Sequence, residues 1–233
     1  MSDFQPGSPL WAKFVDSDKS PPRASFNQPW RIPVGSDRLP PPQGALENCP
    51  LPYDWDLRRY AAFDVETTGL DSWRHRVVEI GLVLFHFDTE GALVAESDWS
   101  TLINPCVPIP PSATEIHGIT DLDVFNSPRF SDIAFELEDK LQGRVLVAHN
   151  ASFDSAFLES EYARIKSRAP VMEIADSLSL LRLAVPNLLS YNLGKAAFIL
   201  GIDTGTAHRA LADAKTCMLI FAHCARKLAG RCP

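Results

Sequence analysis

The amino-acid sequence predicts a mixed α/β fold, in which one β-sheet carries helices on its faces. Two observations predict this class. Three strand-like segments rich in apolar and β-branched residues follow one another after residue 56, with gaps too short for crossover helices, so they indicate an antiparallel meander. Beyond them, helical and strand-like segments alternate along the sequence, which indicates that further strands join the same sheet.

The three meander strands are recognised by their composition and by their ends. Tyr60–Val65 is a short apolar run that ends in acidic residues. Val77–Phe87 is a long run of β-branched and aromatic residues, and Trp99–Ile103 is closed by a proline-rich loop. Short apolar runs bounded in this way are typical of buried strands.

The second half of the chain supplies the remaining elements. Two short segments, Val145–Ala148 and Ile174–Ala175, predict a fourth and a fifth strand. Apolar residues recur at helical spacing in the segments around them, and the last such segment has an apolar stripe along its whole length. The predicted helices are Ser112–Gly118, Phe130–Leu141, Phe153–Lys166, Leu178–Ala184, Tyr191–Leu200 and Ala210–Ala229.

Residues 1–55 differ in composition from the rest of the chain. Eleven of the 19 prolines lie in the first 52 residues, and no period of 2 or 3.6 is sustained there. We therefore interpret residues 1–55 as an extended or disordered arm, and residues 56–233 as the folded domain. The arm carries Trp11, Phe14, Phe26 and Trp30, so it is either a segment that docks on a protein partner or on the domain, or an idle linker.

Charge and residue usage exclude several classes of protein. No apolar run approaches the roughly 20 residues of a membrane-spanning helix, and the first residues lack the pattern of a secretory signal. The five scattered cysteines fit reduced thiols, so we expect a cytoplasmic protein without a membrane partner. A net charge of −7 disfavours a generic polyanion binder, because phosphate contacts drive that affinity. A nucleic-acid substrate would therefore need cations at the site.

The first candidate functional residues are two acids at the end of the first strand. Side chains alternate between the faces of a strand, so Asp64 and Glu66 point the same way, about 7 Å apart. Paired carboxylates on one face are what hard cations such as Mg²⁺ or Mn²⁺ require. Two acids solvated at a strand end are the alternative interpretation of this segment taken alone.

Two further segments place acids beside predicted helices. Asp154 follows His149 and Asn150 after the fourth strand, where the carboxyl ends of strands form sites in α/β sheets. His208 and Asp213 would lie about 140° apart on one ideal helix. They can converge only if His208 lies in the preceding loop, with Asp213 in the first turn or two of the helix.

The three segments together form a pattern that is more specific than any one of them alone. Asp64, Glu66, Asp154, His208 and Asp213 occur in the order D-x-E, H-N-x-x-x-D and H-x-x-x-x-D. This pattern resembles the DEDD exonuclease superfamily in its histidine branch, since the tyrosine branch has Tyr where this chain has Arg209. Within that branch it resembles the proofreading epsilon subunits of bacterial DNA polymerase III. The Glu-x-His-Gly-Ile-Thr element of the family is matched at residues 115–120.

The resemblance implies a ribonuclease-H-like fold and a 3′–5′ exonuclease that releases nucleoside monophosphates. It implies two Mg²⁺ or Mn²⁺ ions held by Asp64, Glu66, Asp154 and Asp213, an arrangement that suits in-line phosphodiester hydrolysis. His208 would take the proton of the attacking water, since an imidazole titrates near neutrality. Asp64, Glu66 and His208 are the predicted catalytic residues.

The resemblance also implies contacts with the 3′ end of a nucleic acid. Backbone amides around Thr67 and Thr68 would hold the terminal group, and Leu70 would wedge against the last base. Asn150 and Phe153 would contact the substrate, Phe153 by stacking, and His117 would line the nucleotide pocket. The predicted substrate-binding residues are Thr67, Thr68, Leu70, His117, Asn150 and Phe153. Single-stranded DNA, in proofreading or repair, is the favoured substrate. RNA or short oligoribonucleotides, and a non-catalytic module that binds a protein partner, are the alternatives.

Overall fold

The computed structural model of the protein describes residues 51, 54–203 and 208–229. A short 3₁₀ turn at Trp55–Leu57 precedes the sheet. The strands are β1 (Arg59–Thr67), β2 (Val77–Phe87), β3 (Leu93–Leu102), β4 (Val145–Ala148) and β5 (Ile174–Asp176). The helices are α1 (Pro111–His117), α2 (Asp121–Val124), α3 (Phe130–Leu141), α4 (Ala151–Arg164), α5 (Ser177–Ala184), α6 (Leu193–Ile199) and α7 (Ala210–Ala229).

The five strands form one mixed sheet in the order β3-β2-β1-β4-β5. β1 pairs antiparallel with β2, and β2 pairs antiparallel with β3. β4 pairs parallel with β1 and with β5. The meander and the added parallel strands are therefore as the sequence predicts. β1 lies at the centre, where β2 pairs with it along its whole length and β4 pairs with residues 60–62.

Each face of the sheet has its own apolar core. Tyr60 and Ala62 of β1 pack on one face with Phe221 of α7 and with residues of α5 and α6. Phe63 and Val65 pack on the opposite face with residues of α3 and α4. Since side chains alternate along a strand, Asp64 and Glu66 continue the row of Tyr60 and Ala62, and they face the side on which α7 lies.

Side-chain caps fix where several helices begin. Asp176 accepts hydrogen bonds from the backbone amides of Leu178 and Ser179 at the start of α5. Thr120 and Asp123 form a capping box on α2. Because the first amides of a helix have no partner within the helix, such caps define its first turn.

Several elements begin or end one or two residues away from the predicted limits, and two differences are larger. β3 begins at Leu93 rather than at Trp99, because an edge strand with one face in solvent alternates apolar and polar residues instead of forming an apolar run. α2 is a helix that the sequence analysis did not find, since four residues are too few for a periodic pattern. The predicted arm lies almost wholly outside the described residues. No helix in the described ranges is long and apolar enough to cross a membrane.

Candidate active site

The site is assembled at the carboxyl end of β1 and the start of α7. Asp64 and Glu66 come from β1, and Asp213 comes from the first turn of α7. One carboxylate oxygen from each of the three lies within 4.8 Å of the others. We call Asp64, Glu66 and Asp213 the carboxylate cluster. The structure thus brings together three of the four acids predicted to bind metal.

The helix reaches the sheet because β2 carries a glycine opposite Asp64. Asp64 is the register partner of Gly81. A Cβ atom at Gly81 would lie 2.1 Å from the carbonyl carbon of Ala210 and 2.2 Å from the backbone nitrogen of Leu211. A side chain therefore does not fit between this strand and the helix. The absence of one brings the first turn of α7, with Asp213, down onto the acids of β1.

Burial and mutual repulsion disfavour the charged forms of the carboxylate cluster. The pKa of Asp64 is raised well above its usual range, first by burial and then by the charges of Asp154, Asp213 and Glu66. Burial, with Asp213 and Glu79 nearby, raises the pKa of Glu66 to about 7. The pKa of Asp213 is also raised by burial. Close carboxylates with this electrostatic cost fit a site for divalent cations, which would supply the missing positive charge.

Asp154 lies beside the carboxylate cluster and is not one of its three members. It is buried in the first turn of α4, and its Oδ1 accepts a hydrogen bond from the backbone nitrogen of Val65 at 3.3 Å. This bond ties α4 to β1 between Asp64 and Glu66. Burial raises the pKa of Asp154, and the hydrogen bond from Val65 acts in the opposite direction.

His208 precedes α7, and Asp213 lies in the first turn, which is the arrangement that their spacing requires for convergence. His208 is exposed, has a φ of 60°, and its backbone nitrogen donates to Oδ2 of Asp213 at 3.2 Å. The left-handed backbone turns the chain sharply into the helix. The preceding loop residues 204–207 lie outside the described residues.

A family comparison identifies the chain. A family model described as exonuclease (RNase_T) matches residues 61–221, which include every residue of the carboxylate cluster. The chain belongs to this exonuclease family. The DNA polymerase III subunit epsilon of Treponema pallidum (strain Nichols) is 38% identical over 176 residues, covering 72% of this chain and 80% of that protein. The PolC-type DNA polymerase III of Clostridium perfringens (strain 13 / Type A) is 35% identical over 158 residues, covering 67% of this chain and 10% of that much longer protein.

Solved structures agree with the family. Exonuclease X in complex with 5′ overhanging duplex DNA is similar with a TM-score of 0.54 and 26% identity, covering 70% of this chain and 90% of that one. Escherichia coli exonuclease I in complex with a dT13 oligonucleotide has a TM-score of 0.65 at 16% identity, covering 75% of this chain and 42% of that one. The predicted family and the predicted ribonuclease-H-like fold are confirmed.

In this exonuclease, an arginine at the end of α4 binds the loop that follows β1. Arg164 donates to the backbone carbonyls of Ser72, Trp73 and His75.

The amide of Thr68, a predicted substrate contact, already donates to the carbonyl of Arg76 at 2.8 Å. Thr67 and Thr68 are buried, while the side chain of Leu70 is 83% exposed, so it is available to a ligand.

His117 carries an unpartnered buried nitrogen. The residue is only 5% exposed, and its Nδ1 accepts from the backbone nitrogen of Ile119 at 3.0 Å, which places the ring proton on Nε2. Among the described residues, Nε2 has no hydrogen-bond partner. Burial lowers the pKa of His117, and a weak backbone hydrogen bond with Thr67 acts in the opposite direction. Because this contact does not have ordinary hydrogen-bond geometry, the buried Nε2 is available to a ligand.

The other predicted contacts lie at the start of α4. Asn150 is exposed, has a φ of 72°, and makes the turn between β4 and α4. Phe153 is half-buried against Phe157, with ring centroids 4.9 Å apart. The neighbouring His149 bonds to Ser177 and to the carbonyl of Tyr191, so its ring joins β4 to α5 and to the segment before α6.

Sequence reasoning missed Glu79 and Gly81, which both act on the start of α7. Glu79 is 3% exposed and lies opposite Glu66 in the register of β1 and β2. The sequence did contain a signal for these two residues, because an acid and a glycine interrupt the apolar run of Val77–Phe87. Each is unusual in a buried strand, so each marks a place where another element approaches closely.

Proposed function

We propose that this protein is a metal-dependent 3′–5′ exonuclease that removes nucleotides from the 3′ end of DNA. The observation that carries the proposal is the carboxylate cluster at the end of the central strand, with Asp154 and His208 beside it. The chain belongs to an exonuclease family, and the similar proteins named above are a DNA polymerase subunit, a DNA polymerase and two exonucleases bound to DNA.

The metal site would consist of Asp64, Glu66 and Asp213, completed by Asp154. Bound Mg²⁺ or Mn²⁺, proposed here as a pair, would activate a water molecule and stabilise the leaving 3′-oxygen. The ions would also offset the repulsion between these acids and a phosphate. Asp154 would have to turn from its bond with Val65, or use its second oxygen, to take part.

The protein side chains would supply proton transfer and positioning. His208 lies on the solvent-exposed turn before α7, where its ring could accept the proton of the attacking water. His117 would donate its Nε2 proton to the terminal nucleotide, which would satisfy the nitrogen that is otherwise unpaired. Leu70 and Phe153 would contact the terminal base, and Thr67, Thr68 and Asn150 would border the same pocket.

A labelled-oligonucleotide assay tests the proposal. A 5′-labelled single-stranded DNA is incubated with Mg²⁺ or Mn²⁺ and with wild type, Asp64→Ala or His208→Ala. We expect stepwise shortening from the 3′ end that chelator and both substitutions abolish. Glu136→Ala, on the exposed face of α3, is the matched control and should retain activity.

The same assay on RNA decides the substrate. Shortening of DNA alone supports the proposal, and a preference for RNA replaces DNA with an oligoribonucleotide substrate. If DNA and RNA both stay intact with either metal, the result would contradict exonuclease activity and favour a binding module.

The partner role of residues 1–55 and a cytoplasmic location are also proposals. Deletion of residues 1–50, with activity and partner binding both unchanged, would contradict a role for the arm.

A further inference from the structure

Glu79 is a fifth carboxylate next to the carboxylate cluster and is not a member of it. It lies on β2 opposite Glu66 and is 3% exposed. A buried carboxylate without partners is costly, so its contacts show what it is used for. The described residues that contact its oxygens are Arg209 and Ala210, immediately before and at the start of α7.

The contacts of Glu79 with Arg209 and Ala210 attach β2 to the start of α7, and we call these contacts the clamp. Nε of Arg209 lies 3.2 and 3.1 Å from the two carboxylate oxygens, and Nη2 lies 2.7 Å from Oε1. The backbone nitrogen of Ala210 donates to Oε2 at 3.0 Å. One carboxylate therefore joins β2 to a charged side chain and to a first-turn amide, which would otherwise lack an acceptor.

The clamp lies next to two of the predicted functional residues. The backbone nitrogen of Asp213 donates to the carbonyl of Arg209 at 3.0 Å, and Oδ2 of Asp213 accepts from the backbone nitrogen of His208. The segment from His208 to Asp213 is thus one hydrogen-bonded turn, and Glu79 holds it at its centre. A shift of this turn would move Asp213 and His208 together, away from Asp64 and Glu66.

The pairing also leaves Glu79 unavailable to a cation. Its two oxygens are engaged by Arg209 and Ala210, and the cluster that could hold a metal consists of Asp64, Glu66 and Asp213. Glu79 therefore differs in role from the acids around it, although its residue type and position are similar.

We propose that Glu79, through Arg209 and the amide of Ala210, is a positioning residue that sets Asp213 and His208 against the acids of β1. The inference rests on the proposed exonuclease function and deepens it. Partners that orient metal-binding side chains from behind typically change metal affinity or activity by about 10–100-fold when they are removed.

The test compares Glu79→Gln with Glu96→Gln in the full-length protein. Glu79→Gln keeps the shape and removes the charge that holds Arg209. Glu96 lies in β3 near the other end of the sheet, where it pairs with Arg144 and His86, so its substitution also breaks a carboxylate–arginine pair. For each variant we measure kcat and KM on single-stranded DNA, Mn²⁺ binding to the DNA-free protein by electron paramagnetic resonance, and the melting temperature.

We expect Glu79→Gln to lower kcat by about 10–100-fold and to weaken Mn²⁺ binding, with KM for DNA little changed. Arg209→Lys, which keeps the charge and loses the two-pronged geometry, should lie between this variant and wild type. Glu96→Gln should match wild type in kcat and Mn²⁺ binding, whatever its melting temperature. Wild-type kcat and Mn²⁺ affinity in folded Glu79→Gln would overturn the proposal, as would equal losses in both variants.

The proposed function can fail separately. If wild type shortens neither DNA nor RNA but binds Mn²⁺, the exonuclease function fails and the Mn²⁺ affinity of Glu79→Gln decides the positioning role. If wild type neither shortens a nucleic acid nor binds Mn²⁺, both proposals are overturned.

Discussion

Gly81→Ala adds only one methyl group, and it should move Asp213 of α7 away from Asp64 and Glu66 of β1. Its new Cβ would lie 2.1 Å from a backbone atom of Ala210, whereas ordinary contacts begin near 3.4 Å. The atoms that it meets are backbone, so no side chain can move aside, and the start of α7 must withdraw by about 1.3 Å, the difference between these two distances. Asp213 would withdraw with it.

The effect on activity should exceed the effect on stability. Overpacking of a buried site costs about 1–3 kcal/mol, which is less than the roughly 5–15 kcal/mol by which native proteins are typically stable. A misplacement of about 1 Å in a catalytic arrangement can cost on the order of 100-fold in rate. We therefore expect a folded Gly81→Ala protein whose kcat falls by about that factor.

The assay is shortening of labelled single-stranded DNA at a temperature where calorimetry shows the variant to be folded. Gly194→Ala is the matched control, because the nearest atom to its new Cβ is Oδ1 of Asn192 at 3.9 Å. That variant should keep its activity. A folded Gly81→Ala protein with wild-type kcat would refute the reasoning that this close approach sets the position of Asp213.

The remaining predictions concern pH, metal and the loop after β1. Because the folded state raises the pKa of Glu66 from 4.5 to about 7, the folded protein binds more protons than the unfolded chain between these values. Glu66 alone should therefore lower the unfolding free energy of the metal-free protein by about 2 kcal/mol as pH rises from about 4.5 to 7, after allowance for partial exposure. Asp64, Asp154 and Asp213, whose pKa values are also raised, add to this loss. Calorimetry in chelator checks this, and Glu66→Gln should reduce the slope without abolishing it. Mn²⁺ should raise the melting temperature more at pH 8 than at pH 5, and an equal rise at both would contradict a cation site among these acids. Arg164→Ala should raise KM for DNA with a smaller change in kcat, because it frees the carbonyls of Ser72, Trp73 and His75. Unchanged KM would contradict the idea that Arg164 positions this loop for DNA.

The sequence by itself determined most of the elements and the shared face of Asp64 and Glu66. Strand and helix patterns follow from the geometry of neighbouring residues, so Val77–Phe87, Phe130–Leu141 and Ala210–Ala229 have the predicted limits. The shared face of Asp64 and Glu66 follows from the period of a strand. The order of the acids along the chain was enough to recognise the family.

Only the tertiary structure decided how distant residues meet. Asp213 joins Asp64 and Glu66 because Gly81 admits the backbone of α7, and Glu79 fixes where that helix begins. Asp154 lies beside the cluster rather than within it, and its carboxylate accepts a hydrogen bond from the backbone of Val65. These relations depend on packing across the sheet, which no local pattern encodes. The free nitrogen of His117 likewise becomes visible only when burial and hydrogen bonds are known together, because a histidine in sequence shows neither.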